Sequence, residues 1–145
     1  METLRRDATK KAFNKGLNIV GSDGDDIIVG TSYNDVLYGG AGNDQIWAGA
    51  GTSYLGGGEG DDLFVFDSSL KGEYIIIDFE AGDKIGFTPG LTSNNLIFGR
   101  DVNGNGILYD KTDRDAWEIQ VMQPDANDFK WGSVLKFDVD YMDFA

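Results

Sequence analysis

The sequence predicts an all-β protein: a short solenoid of stacked turns and strands, closed by a C-terminal antiparallel β segment and preceded by a short helix. Three observations carry that reading. Residues 21–65 fall into five units of nine, GSDGDDIIV, GTSYNDVLY, GGAGNDQIW, AGAGTSYLG and GGEGDDLFV, and a fixed short period marks a stacked solenoid. The sixth position is Asp26, Asp35, Asp44 or Asp62, with Ser53 the one break, and the eighth is always large and apolar: Ile28, Leu37, Ile46, Leu55 and Phe64. After the repeat, short apolar runs alternate with polar turns, the pattern of antiparallel strands.

Each element has its own reason. In the first segment, residues 1–17, Leu4, Ala8 and Ala12 recur at spacing four and Gly16 can end a helix, so residues 1–16 read as one short helix carrying Arg5, Arg6, Lys10, Lys11 and Lys15. That helix either covers the first turn of the solenoid or belongs to whatever precedes it. Residues 18–66 are the solenoid. In each unit the first six positions form a turn and the last three a very short strand, and Asn18, Ile19 and Val20 read as the strand of a preceding unit without a turn. Residues 67–145 are the cap, with apolar-rich runs at 74–79, 96–99, 107–109, 117–122 and 134–137. A cap is expected because an open solenoid end exposes unpaired strand edges.

Composition narrows the chemistry. Acidic residues outnumber basic ones 25 to 12 over 145 residues, a net charge of −13, so the chain repels nucleic acid and anionic membranes and attracts cations. There is no cysteine and no histidine, which removes disulfides, thiolate zinc sites, thiol nucleophiles and histidine-based triads. No apolar run approaches the length of a membrane span, and the opening METLRR is not a classical secretory signal.

The turns carry the strongest functional signal. Twelve of the 21 glycines lie between Gly21 and Gly60. A turn that reverses within six residues needs positive φ, which glycine adopts without steric cost, and its bare backbone lets carbonyls crowd around an ion. Calcium takes six to eight hard oxygen ligands, and carbonyls plus aspartates supply that kind of set.

These units resemble the nonapeptide G-G-x-G-x-D-x-U-x of the RTX calcium-binding family. Residues 39–47 and 57–65 match it fully and 21–29 departs only at its second position. Residues 77–85, IDFEAGDKI, are similar to the cap that follows RTX repeats. The resemblance implies a parallel β-roll with two nonapeptides per turn, so that units one, three and five share one edge and units two and four the other. It implies calcium between stacked turns. Asp26 and Asp44 would flank one ion, with carbonyls from Gly21, Asp23, Gly40 and Gly42 and with Gly24 in the same acidic turn. Asp44 and Asp62 would flank a second, with carbonyls from Gly39, Ala41, Gly58 and Gly60. On the other edge Asp35 faces Ser53 near Gly49 and Gly51, and the missing carboxylate predicts a weaker or water-filled site. A terminal site would join Asp62 to Asp78 or Asp83, although Tyr74 stands where the family usually has aspartate.

The remaining signals are weaker. Residues 101–106, DVNGNG, resemble half an EF-hand loop, but Thr112 stands at the twelfth position and no helices flank it, so a hairpin turn is expected. Outward positions Ile27, Val29, Gln45, Trp47, Leu63 and Val65 are too apolar for open solvent and should be covered by the C-terminal strands or the first helix. The opposite face presents Val36, Tyr38, Tyr54 and Gly56, whose rings could stack on sugars or simply pack. Asp113, Asp115 and Glu118 near Trp117 are spaced as a glycosidase pair could be, yet read as surface acids, and no enzymatic role is expected. Residues 137–145, FDVDYMDFA, look like the C-terminal export signal of RTX proteins that leave by type I secretion, or like a final edge strand. The expectation is a secreted, extracellular calcium-folding module whose partners are calcium ions and an exporter. The alternative is a polysaccharide-binding module, because the layout also resembles the R-modules of bacterial alginate epimerases. The basic residues such a ligand would need, Arg100, Lys111, Arg114, Lys130 and Lys136, are scattered.

Overall fold

The computed structural model describes residues 2–5, 16–67, 69–122, 131–137 and 139. The chain winds as a flattened spiral whose strands alternate between two facing sheets. One sheet has the order β1 (Glu2–Arg5), β3 (Asp26–Val29), β5 (Gln45–Trp47), β7 (Leu63–Phe66), β9 (Lys84–Phe87) and β13 (Leu135–Lys136). The other has the order β10 (Leu96–Arg100), β11 (Gly106–Asp110), β12 (Trp117–Val121), β8 (Gly72–Ile76), β6 (Gly51–Gly56), β4 (Val36–Tyr38) and β2 (Asn18–Val20). A four-residue helix, α1 (Trp131–Val134), leads into β13.

The position-eight residues build the core. Ile28, Ile46, Phe64 and Ile85 stand in register in one sheet, and Ile19, Leu37, Leu55 and Ile76 in the other. All eight are buried in one cluster. Every strand in the repeat is too short to be stable alone, so the columns of apolar contact between turns hold the ladder together.

The nonapeptide period ends at residue 66, but the stacking does not. Residues 77–83 act as a further turn, and β8 and β9 pair in parallel with β6 and β7. The expectation of a wholly antiparallel cap is corrected accordingly. Among the described residues only β10, β11 and β12 pair antiparallel, while β12 lies parallel to β8 and β13 parallel to β9. The free edges of β8 and β9 present a row of N–H and C=O groups, and the long excursion after each strand returns a later strand to satisfy them.

A second correction falls at the start. Glu2–Arg5, expected in the helix, is a strand paired in parallel with β3, and residues 6–15 lie outside those described. A 16-residue helix with three apolar positions is marginal on its own, whereas pairing with β3 fills the open hydrogen-bond ladder.

The expected cover is present. Ile27, Trp47 and Val65 are buried, and Val139 packs against them together with Val29 and Leu63. Across the molecule Val36, Tyr38 and Tyr54 are exposed. The loop at 101–106 is the hairpin turn between β10 and β11. The Asp101 carboxylate accepts first from Asn105 Nδ2 and then from the Asn105 and Asn103 backbone N–H groups, which holds its carboxyl below the usual range and leaves it committed to its own loop.

Candidate metal centre

The repeat turns lie on two edges, as the stacking requires. Units one, three and five form the first edge. There the backbone N–H of each position-six aspartate donates to the carboxylate one turn later. Asp26 N–H donates to Asp44 Oδ1 at 2.8 Å, Asp44 N–H to Asp62 Oδ1 at 2.8 Å, and Asp62 N–H to Asp83 Oδ1 at 2.9 Å. A second ladder at position five runs the other way. Asn43 N–H donates to Asp25 Oδ1 at 2.7 Å and Asp61 N–H to Asn43 Oδ1 at 2.8 Å. Sequence reasoning missed this second ladder, although the signal was there: position five reads Asp25, Asn34, Asn43, Thr52 and Asp61.

The ladders leave two oxygens over. Among the described residues, Asp44 Oδ2 and Asp62 Oδ2 are buried without a hydrogen-bond donor. The matching oxygens in units one and two are satisfied. Asp26 Oδ2 accepts from the Ser22 N–H and the Ser22 hydroxyl, and Asp35 Oδ2 accepts from the Thr31 N–H. Position two decides the difference. In units one and two its N–H turns onto the carboxylate of its own unit, whereas in units three and five it is glycine with left-handed φ, +92° at Gly40 and +84° at Gly58, and the Gly58 N–H donates to Asp78 instead.

A buried carboxylate oxygen without a donor is costly, and the titration behaviour reflects that. Burial pushes the Asp44 carboxyl up against the opposing Asp26 N–H bond, with the Asp26 and Asp25 charges adding to the rise. Burial likewise brings Asp62 to about 7, with Asp83, Asp44 and Asp78 adding like charge. Asp83 reaches about 6, burial again being the largest cause. An edge that stacks carboxylates at 1 % exposure calls for a cation.

The backbone carbonyls complete the donor set. A Cβ on Gly40 would sit 2.7 Å from the Ser22 carbonyl and one on Gly42 2.6 Å from that of Gly24, while one on Gly39 would sit 2.8 Å from that of Gly57. A Cβ on Gly58 or Gly60 would collide with the Gly40 or Gly42 carbonyl, and one on Gly21 with that of Gly39. So carbonyls at positions two and four face the following turn, and those at position one face the preceding turn. The alternation expected from the resemblance is present with its direction reversed. Between units one and three the facing carbonyls are those of Ser22, Gly24 and Gly39, rather than Gly21, Asp23, Gly40 and Gly42. Between units three and five they are those of Gly40, Gly42 and Gly57, rather than Gly39, Ala41, Gly58 and Gly60. Successive peptide planes in such a turn point opposite ways along the solenoid axis, and sequence spacing does not say which way the first one points.

Among the described residues no three acidic side chains converge on one point. A cation here would draw on two aspartates and on carbonyls, an all-oxygen set suited to calcium and unsuited to zinc or copper. Asp23 and Gly24 are exposed at the tip of turn one, and Asp35 stands on the second edge with its N–H donating to Ser53 Oγ at 3.2 Å. Asp78 closes turn five by accepting from the Gly57 and Gly58 N–H groups, both at 2.9 Å. Farther off, Glu118 pairs with Arg114 at 3.6 Å, and Arg114 lies over the Tyr109 ring at 4.1 Å.

The glycines can be tested directly. Gly58→Ala places a side chain at φ +84° against the Gly40 carbonyl and is expected to destabilise the calcium-loaded protein by about 2 kcal/mol or more. Gly99→Ala meets nothing within 4 Å and should be near neutral. Urea denaturation of both variants checks the contrast.

A parallel roll with stacked carboxylates and left-handed glycine turns defines a calcium-binding repeat module. Comparison with known proteins agrees: residues 20–55 match the family model of the RTX calcium-binding nonapeptide repeat (4 copies). The chain is also similar to the solution structure of the AlgE6R3 subunit from the Azotobacter vinelandii mannuronan C5-epimerase. Identity is 26%, the match covers 82% of this chain and 76% of that one, and the TM-score is 0.60. No curated protein sequence matches the chain. Among the described residues no helix is long and apolar enough to cross a membrane.

Proposed function

We propose that this chain is a calcium-dependent folding module of a secreted protein that leaves the cell by type I export. The observation that carries the reading is the pair of buried, donorless oxygens on Asp44 and Asp62, set between turns that the calcium-binding repeat matches or adjoins. When bound, calcium would supply the positive charge that lets these carboxylates ionise in place. The strongest gap lies between units three and five, where Asp44, Asp62 and the carbonyls of Gly40, Gly42 and Gly57 would hold the ion. The gap between units one and three would use Asp26, Asp44 and the carbonyls of Ser22, Gly24 and Gly39, with Ser22 competing for Asp26.

The residues explain why folding waits for calcium. Stacked aspartates repel one another, and a glycine-rich repeat loses much conformational entropy on ordering. Where calcium is scarce, as in cytosol, the repeat stays unfolded and passes an exporter. At roughly millimolar calcium outside the cell, binding free energy becomes folding free energy. Two filled gaps would take the net charge from −13 to about −9. The domain reading belongs to the same proposal: residues 18–66 respond to calcium, residues 67–145 cap them, and residues 137–145 carry the export signal, of which 138 and 140–145 lie outside those described. A calcium titration followed by far-UV circular dichroism tests the reading. The expected result is a cooperative gain of β signal at roughly 0.1–1 mM calcium, absent with magnesium. A chain fully folded in chelator and unchanged by calcium contradicts it.

A second reading is binding of a polysaccharide. Exposed Tyr38 and Tyr54 on a flat sheet favour it, as does the similarity to a subunit of a mannuronan epimerase. Retardation in an alginate gel, measured in calcium, would support it, and free migration would remove it for that ligand.

A further inference from the structure

The second edge of the roll does not fit calcium, and its own groups fill the places where ions would lie. We infer that this edge, units two and four with Tyr74 of β8, is closed by hydroxyl groups. Calcium uptake is then a property of the first edge alone. The inference refines the proposed function, since it says which half of the repeat responds to the ion.

The argument runs turn by turn. Asp35 is in phase with Asp26 and Asp44, but both of its oxygens are taken. Oδ1 accepts from the Leu17 N–H at 2.9 Å and from the Thr31 hydroxyl at 2.8 Å, and Oδ2 accepts from the Thr31 N–H at 2.8 Å. The Thr31 carbonyl, which faces the next turn as the position-two carbonyls do, accepts from the Ala50 N–H at 3.3 Å. The next residue in the column is Ser53, fully buried, whose hydroxyl accepts from the Asp35 N–H where Asp62 Oδ1 would serve on the first edge.

Tyr74 completes the column. It pairs in register with Ser53, is buried at 2 % exposure, and donates its hydroxyl to the Gly49 carbonyl at 2.5 Å. Gly49 is the position-two glycine of unit four, with φ +74°, so its carbonyl is the counterpart of the Gly40 carbonyl that faces unit five on the first edge. A phenol proton thus sits on a carbonyl that a cation would otherwise draw in. Gly72 gives the phenol room, since a Cβ there would lie 2.5 Å from the Tyr74 oxygen. The Phe66 ring, with its centroid 4.8 Å from that of Tyr74, holds it from the core side. The sequence break at Ser53 and the tyrosine at 74 are therefore two parts of one substitution, in which two hydroxyls replace two carboxylates and an ion.

Calcium stoichiometry by equilibrium dialysis, with thermal melts in saturating calcium, tests this. Tyr74→Phe removes the hydroxyl while keeping the ring. It should bind as many ions as the natural sequence yet melt about 5 °C lower, because the half-buried Gly49 carbonyl loses its donor beside the buried ring. The double variant Ser53→Asp, Tyr74→Asp restores acids in register and should bind one more ion per chain; should it fail to fold, Tyr74→Phe decides. The inference is overturned if Tyr74→Phe melts with the natural sequence, or if Asp35→Asn binds one ion fewer than it. A natural sequence that takes up no calcium refutes the calcium-folding proposal instead, and the Tyr74→Phe melt still judges the second edge.

Discussion

Asp44→Asn is expected to reduce the number of calcium ions bound and to raise the calcium midpoint of folding by on the order of 100-fold. Asp44 is the middle rung of the first-edge ladder. Its Oδ1 receives the Asp26 N–H, its own N–H goes to Asp62, and its Oδ2 is buried without a donor. It therefore borders the gaps on both sides, and losing its charge weakens two sites at once. Each tenfold loss of affinity corresponds to about 1.4 kcal/mol, and calcium affinity falls with the ligand charge available. Asparagine keeps an acceptor for the Asp26 N–H, so the loss is one of charge rather than of the ladder. Asp35→Asn makes the comparison sharp. Its new NH2 would face either the Thr31 N–H or the donors on Oδ1, leaving a buried donor pair at a cost of about 1–3 kcal/mol. That variant should bind the natural number of ions, with its midpoint raised only about fivefold through lost stability. Calorimetric titration of both variants checks this, and equal loss of bound calcium in the two would refute the assignment of ions to the first edge.

The second large effect is on pH. In the folded, metal-free protein burial holds Asp62 at about 7 and Asp83 at about 6, both above the ordinary 3.8. A carboxyl raised on folding binds its proton more tightly in the folded state. Its stabilising contribution is therefore complete below about 4 and is lost as pH rises through 6 to 7. In metal-free buffer the β signal should be greater at pH 5 than at pH 8. Calcium needs the ionised form, so binding must expel these protons, and its affinity should climb from pH 5 to pH 8. Circular dichroism of the metal-free protein and calcium titrations at the two pH values test both signs. A metal-free protein more ordered at pH 8 than at pH 5 would show that the first-edge carboxylates are not strained by burial.

Much of this was legible in the residues because two periods agree. Position eight writes the core as a column of Ile28, Ile46 and Phe64 against Leu37 and Leu55, and position six writes the acidic edge; both follow from counting nine. Counting failed where the geometry left the repeat. The three-residue insertion that puts Asp83 opposite Asp62 hides a further turn, since their separation is 21 and not 18. The parallel return of β12 to β8 is a long-range pairing with no local signal. The direction of the alternating carbonyls could not be counted either, because spacing fixes their period and not their sense. Nor does the pattern show that Ser22 and Thr31 satisfy the carboxylates of their own units while Gly40 and Gly58 do not. The direction of one backbone N–H at position two separates a turn closed by hydrogen bonds from one left open to an ion.

A crystal structure of the protein grown in calcium tests the central claim most directly. The account predicts ions on the first edge, between Asp44 and Asp62 and between Asp26 and Asp44, and none between Asp35 and Ser53 or beside the Tyr74 hydroxyl. An empty first edge, or an ion seated on Asp35, would contradict it.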